Sequence, residues 1–482
     1  MALEEPKPLR RAGLLALGAA AAAVLLLALA PHVHVEPGEL EQMRRSLAIW
    51  TVGPFVLMLG SIAVFPLAAP RWWESHARKL VVAAALSIPV LVFLASYGAA
   101  GKFELFEKAR EYVSFLCLLG ALFVIAGGIY VRGSLDGTPA LNTALLGIGA
   151  VLANLVGTTG ASMLLLRPLL RANEMRLRKA HVVVFFIFVV SNCGGLLTPL
   201  GDPPLFLGFL KGVPFEWTAS RLWPVWLATN GLLLAIFAAM DKVIFEREEA
   251  VRPGSQREEV KEHGPLRVDG AVNFVPLAGV VLVVFASGHG LFYGGRPWPF
   301  GIQEGAMVAL AAASFLLTPR TIHAMNHFGF APIVEVAVLF GGIFVTMTPA
   351  LALLNVHGTA LGVTEPWQFF WATGALSSVL DNAPTYLTMS AAVAGLMGAP
   401  VEGRFLAVVL AHQQGDALLE AISAGAVMMG ANTYIGNGPN FMVKAVAEHR
   451  GVAMPSFFGY MLYSGAVLIP IFIVVTLLFF RR

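Results

Sequence analysis

Two apolar stretches broken by Asn, Gly and Pro in the first half of this chain recur, in the same order, in the second half. The first half carries Leu152-Ala153-Asn154, then Ser191-Asn192-Cys193-Gly194 running into Thr198-Pro199-Leu200-Gly201-Asp202-Pro203-Pro204. The second carries Leu380-Asp381-Asn382-Ala383-Pro384, then Ala431-Asn432-Thr433 running into Gly436-Asn437-Gly438-Pro439. Matching Gly120 with Gly341 gives 341 − 120 = 221, Asn154 with Asn382 gives 382 − 154 = 228, and Asn192 with Asn432 gives 432 − 192 = 240. Offsets that grow slowly in one direction are what duplicated units with small loop insertions produce. If an odd number of spans separates equivalent elements, the halves are inverted and the Asn motifs face each other at mid-membrane. The sequence leaves that parity open.

Composition places these breaks in lipid. Of 482 residues, 57% are hydrophobic and 13% charged, against roughly 25% charged in soluble domains. Apolar runs near 13–31, 47–69, 80–99, 113–131, 223–240, 271–288, 305–318, 332–354 and 457–480 mostly reach the roughly 20 residues needed to cross the hydrocarbon core. The regions 140–210 and 367–450 are apolar but interrupted. The expectation is an all-α polytopic membrane protein with about eleven to thirteen spans, built as two inverted repeats with re-entrant hairpins and interrupted helices. A closed barrel would show short alternating segments, which are absent.

The boundaries read as 1–45 for an N-terminal tail and first helix, 46–240 for a first repeat, 241–270 for a polar linker and 271–482 for a second repeat. The formal charge of +3 comes from Lys and Arg scattered through short loops, which fits positive-inside topology rather than nucleic-acid binding. The first run follows Lys7, Arg10 and Arg11 and is too long for a signal peptide's apolar region. It is expected to be a retained helix with a cytoplasmic N-terminus, in a cell (inner) membrane. Cys117 and Cys193 lie in apolar surroundings and make no disulfide framework.

The chemistry concentrates at the breaks. From Ser191 to Pro204, Gly and Pro must interrupt a helix within an apolar region. Such a break is tolerated only in a protein interior or beside a hydrated cavity. Freed carbonyls, the Asn192 amide oxygen and the Thr198 hydroxyl are hard ligands suited to a small alkali cation, and Asp202 adds negative charge. The alternative is a surface loop with Asp202 capping the next helix. Asp381 is flanked by apolar residues, where a carboxylate costs several kcal/mol unless it meets a cavity, a cation or another polar group. A buried acid that holds a proton or a cation by turns is the essence of an antiporter. The alternative is an N-cap before Pro384. Asn192, Asp202 and Asp381 are therefore the Na+ candidates, with Asn154, Ser191, Thr198, Asn382, Asn432, Thr433 and Asn437 as further binding candidates. Thr158, Thr159 and Ser162 would line the first half's cavity.

Glu335 reads equally as a buried proton carrier or a first-turn residue at the interface. Thr346 and Thr348 are expected to bond backbone carbonyls, and Lys444 to snorkel or to pair with an acid. His412-Gln413-Gln414-Gly415-Asp416 offers too few ligands for a metal. No Walker pattern is present, so an ion gradient or passive flow must supply the energy.

At these motifs the chain resembles D-type sodium/proton antiporters of the ion-transporter superfamily, which also includes arsenite-efflux pumps, citrate transporters and divalent-anion/sodium symporters. Ser191-Asn192-Cys193-Gly194-Gly195 through Asp202 is similar to the antiporter signature. Leu380-Asp381-Asn382-Ala383-Pro384 is similar to the Asp-Asn element of antiporters and arsenite pumps, and Asn432-Thr433 to the symporters' second hairpin tip. The resemblance spans roughly 45–480 and implies scaffold and transport domains, often in a homodimer, with Asn192, Asp202, Asp381 and Asn382 as ion-site residues. Ala153 stands where the antiporters carry an acid, so coupling would rest on Asp202 and Asp381.

Na+/H+ antiport leads among the functions, since the broken segments contain no Arg to grip a carboxylate. A citrate or organic-anion carrier is the alternative, and arsenite efflux is a third, weakened because Cys193 lacks thiol partners. A membrane enzyme would need a nucleophile with a matched base, and His181 is loosely placed relative to Ser191. No cofactor is expected, Na+ and H+ being transported ions. The partners are the lipid bilayer and a small inorganic cation or anion.

Overall fold

The computed structural model describes residues 8–30, 35–133, 136–251, 267–296, 298–357 and 362–481. Lipid offers no partner to a peptide group, so the chain satisfies its backbone within helices. Among the described residues nine helices are long and apolar enough to cross a membrane. The path between the two faces follows from contacts at helix ends.

Helix α1 (Pro8–Leu29) starts at what is here named the near face and ends at the far face. Helix α2 (Pro37–Ser46) lies on the far face. Helix α3 (Gly53–Ala68) returns to the near face, α4 (Pro70–Trp73) turns there, α5 (His76–Ala95) goes out and α6 (Ala99–Gly127) comes back. Strand β1 (Tyr130–Arg132) then precedes α7 (Pro139–Ala172).

Helix α7 is not one rod. A straight 34-residue helix would separate its ends by about 50 Å. Yet Asn142 and Asn173 exchange side-chain amide hydrogen bonds of 2.9 and 2.7 Å. The reversal is at Gly157, whose φ of 77° and ψ of 157° suit only a residue without Cβ. Residues 139–156 and 158–172 are thus the legs of a re-entrant hairpin whose base is on the near face. That base is clamped to the end of α10 (Trp217–Val251). Asp241, fully buried, accepts from Asn142 at 2.9 Å and Arg176 at 2.5 Å and bonds His181 Nε2 at 2.8 Å.

Between hairpin and α10, α8 (Ala180–Val189), a 3-10 turn at Cys193–Leu196 and α9 (Pro203–Leu210) make one broken crossing. Strand β2 (Arg267–Asp269) pairs antiparallel with β1 on the near face. The second half then repeats the order. Helices α11 (Phe274–Gly288), α12 (Ile302–Leu317) and α14 (Ala331–His357) cross, with α13 (Arg320–Met325) as a near-face turn. Helices α15 (Pro366–Ser377) and α16 (Asn382–Leu396) form the second hairpin. Asn355, near the far end of α14, donates to Ala399 O at 2.8 Å, so this hairpin opens on the far face. Helix α17 (Phe405–Leu410) is held there by Leu406 N bonding Lys211 O at the end of α9, at 3.0 Å. Helices α18 (Gly415–Met429) and α19 (Gly438–His449) form the second broken crossing, and α20 (Phe457–Val475) ends the fold.

Five crossings, α3, α5, α6, α8–α9 and α10, separate each first-half element from its equivalent. Five is odd, so the repeats are inverted, and one hairpin enters from each face. Among the described residues the crossings, with α1, number eleven besides the two hairpins. The expected linker starts differently: residues 241–251 continue α10, because the charges from Asp241 onward mark where the helix leaves lipid rather than where it ends. The rest of that stretch, 252–266, lies outside the described residues.

Replacing Asp241 with Ala leaves Arg176 and His181 buried without their shared acceptor. Asp241→Ala is expected to destabilise by about 3–5 kcal/mol, read as a lowered midpoint in thermal unfolding of detergent-solubilised protein. Glu41→Ala, which breaks only an exposed i,i+4 pair with Arg45, should change it by less than about 1 kcal/mol.

Candidate functional site

The two breaks meet in the interior. In each, two glycines bring backbones together, Gly195 against Gly201 and Gly430 against Gly436, so closely that a Cβ on Gly201 or Gly436 would strike the opposite carbonyl. Each break is tied to its own hairpin by a threonine: Thr198 donates to Asn154 O at 2.5 Å and Thr433 to Ser378 O at 2.6 Å. The carbonyls freed by the breaks find partners on the following helix. Trp226 and Asn230 of α10 donate to Gly194 O and Cys193 O, while Tyr460 and Ser464 of α20 donate to Ala431 O and Asn432 O.

These shared bonds reset the repeat register. Thr198 and Thr433 are equivalent, as are Asp202 and Asn437, since 433 − 198 and 437 − 202 both give 235. In the hairpins Asn154 matches Ser378 and Thr158 matches Asn382, since 378 − 154 and 382 − 158 both give 224. The sequence matches of Asn192 with Asn432 and Asn154 with Asn382 therefore paired like letters rather than like positions. At 235 Asn192 faces Val427, so its amide belongs to one repeat alone.

Asp202 is the centre of the assembly. It is 1% exposed and stands at the N-cap position of α9, where its side chain makes no capping bond. Its Oδ1 accepts from Thr158 Oγ1 at 2.7 Å and, at the long distance of 3.5 Å, from Asn437 Nδ2; its Oδ2 accepts from Asn382 Nδ2 at 2.5 Å. The donors come from the first hairpin's tip, the second break and the second hairpin's tip. Among the described residues no Lys, Arg or His pairs with it. Asn192 adjoins this centre: it donates to Ile187 O and Asn440 Oδ1 at 2.8 and 2.7 Å and accepts from Asn437 at 3.1 Å. Ser191 O accepts from Asn437 at 3.2 Å, and Ser191 Oγ meets Ser162 Oγ at 2.8 Å. Asn154 spans the first break, donating to Gly194 O and accepting from Leu197 N, both at 2.8 Å.

Asp381 is placed differently. It sits at the second hairpin's tip, half-buried, and accepts from Ala383 N at 3.3 Å as the N-cap of α16. Its chain neighbour Asn382, not Asp381 itself, reaches Asp202. Two carbonyl oxygens at the crossing, Asn382 Oδ1 and Asn432 Oδ1, have no hydrogen-bond partner among the described residues. Asn432 gives only its amide protons, to Ser378 Oγ at 2.8 Å. Orphaned buried acceptors beside an uncompensated carboxylate are chemistry suited to a hard cation.

The remaining candidates lie elsewhere. Glu335 is partly exposed and pairs with Lys79 at 2.6 Å on the near face, which is the interfacial placement. Thr346 and Thr348 bond backbone carbonyls at 2.8 and 3.0 Å. Lys444 pairs with Glu448 at 3.2 Å, and His412 is in an exposed turn. His181 is committed to Asp241 rather than to Ser191, and Cys117 and Cys193 are free and buried. Asn440 escaped the sequence reading. It donates to Gly430 O and Thr433 O at 2.8 and 2.9 Å, and a lone Asn just past Pro439 in an apolar stretch was the available signal.

A cleft of about 70 Å³ reaches the first hairpin's tip, lined by Leu122, Phe123, Gly157, Thr158, Thr159, Gly201, Pro203, Pro332 and Ile333 among others. That is room for water. Pro332 and Ile333 belong to the first turn of α14, so the cleft runs toward the near face.

Gly201→Ala is expected to force the Gly195 carbonyl aside and lower stability by about 1–3 kcal/mol. Gly231→Ala on α10, where a Cβ meets nothing within 4 Å, should leave the melting midpoint unchanged or slightly raised.

No curated protein matches the chain at a significant level. Residues 44–480 match the family described as "Putative citrate transport". That match covers the scaffold helices, both hairpins and both breaks, and the chain belongs to this family of transporters.

Proposed function

We propose that this protein is a cation-coupled secondary transporter that exchanges Na+ for H+ at Asp202. The observation that carries this reading is an acid 1% exposed, held by neutral donors from both repeats, with no basic group bonded to it among the described residues. A carboxyl group out of water keeps its proton until a cation with oxygen ligands replaces it. Freed carbonyls and the orphaned Asn382 oxygen are such ligands. Proton and Na+ then occupy one place at different times, which is what obligatory exchange requires.

The orientation follows from charge. Near-face ends and connections carry Arg11, Arg71, Arg78, Lys79, Arg132, Arg171, Arg176, Arg178, Lys179, Lys242, Arg247, Arg267, Arg320 and Arg450, while far-face ones carry Arg44, Arg45, Lys102, Lys108, Arg110, Lys211, Arg221, Arg296, Arg404 and Arg481. The positive-inside bias favours the near face as cytoplasmic, and the cleft then gives the site access from the cytoplasm of a cell membrane. A second reading, carriage of a citrate-class anion driven by a cation at Asp202, is favoured by the family's description. The absence of an Arg or Lys bonded to the crossing argues for the first.

Reconstitution in proteoliposomes separates them. Addition of Na+ or Li+ should collapse an imposed pH gradient; labelled citrate uptake with no such collapse selects the second reading. Asp202→Asn preserves shape and is expected to abolish exchange while the protein still inserts. Asp381→Asn retains a good N-cap and isolates its charge: loss of exchange makes Asp381 a second ion-site acid, whereas wild-type exchange reduces it to a cap. Wild-type exchange by Asp202→Asn sinks the proposal.

A further inference from the structure

Apart from the crossing, the near face holds a small basic cleft that the transport reading does not use. It has a volume of about 30 Å³ and is lined by Arg167, Leu170, Arg171, Glu174, Lys179, Arg450 and Val452. Four cations and one carboxylate line it. Among the described residues none of Arg167, Arg171, Lys179 and Arg450 forms an ion pair within 4.0 Å of an acid, although Arg and Lys elsewhere in the fold commonly do.

Three of the four are tied down through neutral acceptors. Arg167 donates to Met325 O at 3.2 Å, Arg171 to Tyr130 Oη at 3.1 Å and Val131 O at 2.6 Å, and Lys179 to Glu174 O at 2.9 Å. Those bonds hold the stems without neutralising the charge, so the positive groups are pre-oriented and little rotamer freedom remains to be lost on binding. Carbonyls at the ends of α7 and α19 attract cations by their dipoles. That effect is worth less than full neutralisation and leaves room for an anion.

We propose that this cleft is a binding site for a phosphate-bearing anion. Its guanidinium groups suit phosphate oxygens by their paired donors. Its position, at the hairpin base where α7 leaves the membrane, points to the phosphodiester of an anionic lipid; basic pockets between transmembrane helices on the cytoplasmic side commonly hold such headgroups. Arg167, Arg171 and Lys179 belong to the first repeat and Arg450 to the second, so the occupant bridges the first hairpin to the end of α19, the two elements that carry Thr158 and Asn437 to Asp202.

The test uses the full chain purified in a neutral detergent at physiological salt, where diffuse surface attraction is largely screened. Thermal unfolding is followed during titration with phosphatidylglycerol, with phosphatidylcholine, and separately with inorganic phosphate. Phosphatidylglycerol should raise the midpoint saturably and phosphatidylcholine should not. In Arg450→Gln combined with Lys179→Gln the apparent Kd should weaken about tenfold or more, two cations near the headgroup being lost. Arg178→Gln combined with Arg320→Gln, which removes an equal charge from exposed near-face positions outside the cleft, should bind as wild type and guards against a general charge effect. An equal midpoint rise with inorganic phosphate, lost in the double variant, supports the site with a free anion as its source. No saturable rise with either anion, or a rise that the double variant retains in full, overturns the proposal.

Discussion

A carboxylate in the middle of a lipid-embedded protein is the constraint on which the rest of this fold depends. Asp202 is taken from water and given no cation among the described residues, an arrangement that costs several kcal/mol unless donors converge on it. Thr158, Asn382 and Asn437 supply those donors. Each stands at an interruption: Thr158 beside the reversal at Gly157, Asn382 at the start of α16 and Asn437 at the start of α19. The hairpin reversal at Gly157, the Asp381 cap and the Asn437 turn are therefore one device seen from three elements. Each break also orphans carbonyls, and α10 and α20 answer them with Trp226, Asn230, Tyr460 and Ser464. The helix after each break is needed to make that break tolerable.

The inverted repeats are similar in backbone and unlike in charge. Asp202 has Asn437 at its equivalent position, and Asp381 has Gly157. Thr158 and Asn382, equivalent by position, both donate to the same acid. Two halves that were identical here would place two carboxylates against each other, which repel and cannot both ionise. Substituting an amide for one acid keeps the hydrogen-bond geometry and leaves a single negative charge. Under the proposed exchange, such a centre would be neutral with either a proton or an alkali cation bound, and that neutrality would let the loaded site change its exposure.

Much of the fold was legible because lipid makes the rules few. Long apolar runs can only be helices, and clusters of Gly, Pro and Asn inside them mark breaks where single prolines such as Pro89 and Pro349 do not, so fold class and the two interrupted regions followed from composition and pattern. Register did not. The match of Asn192 with Asn432 relied on residue identity, whereas equivalence is fixed by bonds such as Thr198 to Asn154 O and Thr433 to Ser378 O, and backbone acceptors carry no letter in a sequence. Helix α7 hid its reversal for a related reason: Gly157-Thr158-Thr159 is apolar-compatible, and only the pairing of Asn142 with Asn173 across the base exposes two legs. Asp381 and Asp202 read alike in the sequence, each an acid in a broken apolar stretch. Tip residues, however, look outward along the chain and inward in space, and Asn382, the neighbour of Asp381, is the one that turns in.

The distribution of ion pairs bears on how such a site could be exposed to each face in turn. The cleft to Thr158 runs toward the near face. On the far face, Lys211 at the end of α9 pairs with Glu111 of α6, which Lys108 also contacts at 3.0 Å, and Arg44 joins Glu104 of α6 to Glu402 beyond α16. Each cluster connects an element of a broken or hairpin segment to helices outside it. Replacing buried ion pairs with well-packed apolar residues is often neutral or stabilising, so these pairs are weak evidence for stability. Under the proposed exchange they would serve as contacts with two settings, made while the far side is shut and exchanged for water when it opens. Helix α9, which begins at Asp202, ends at Lys211 in one of these clusters. Movement of α9 would couple the loading of the acid to the face from which it can be reached.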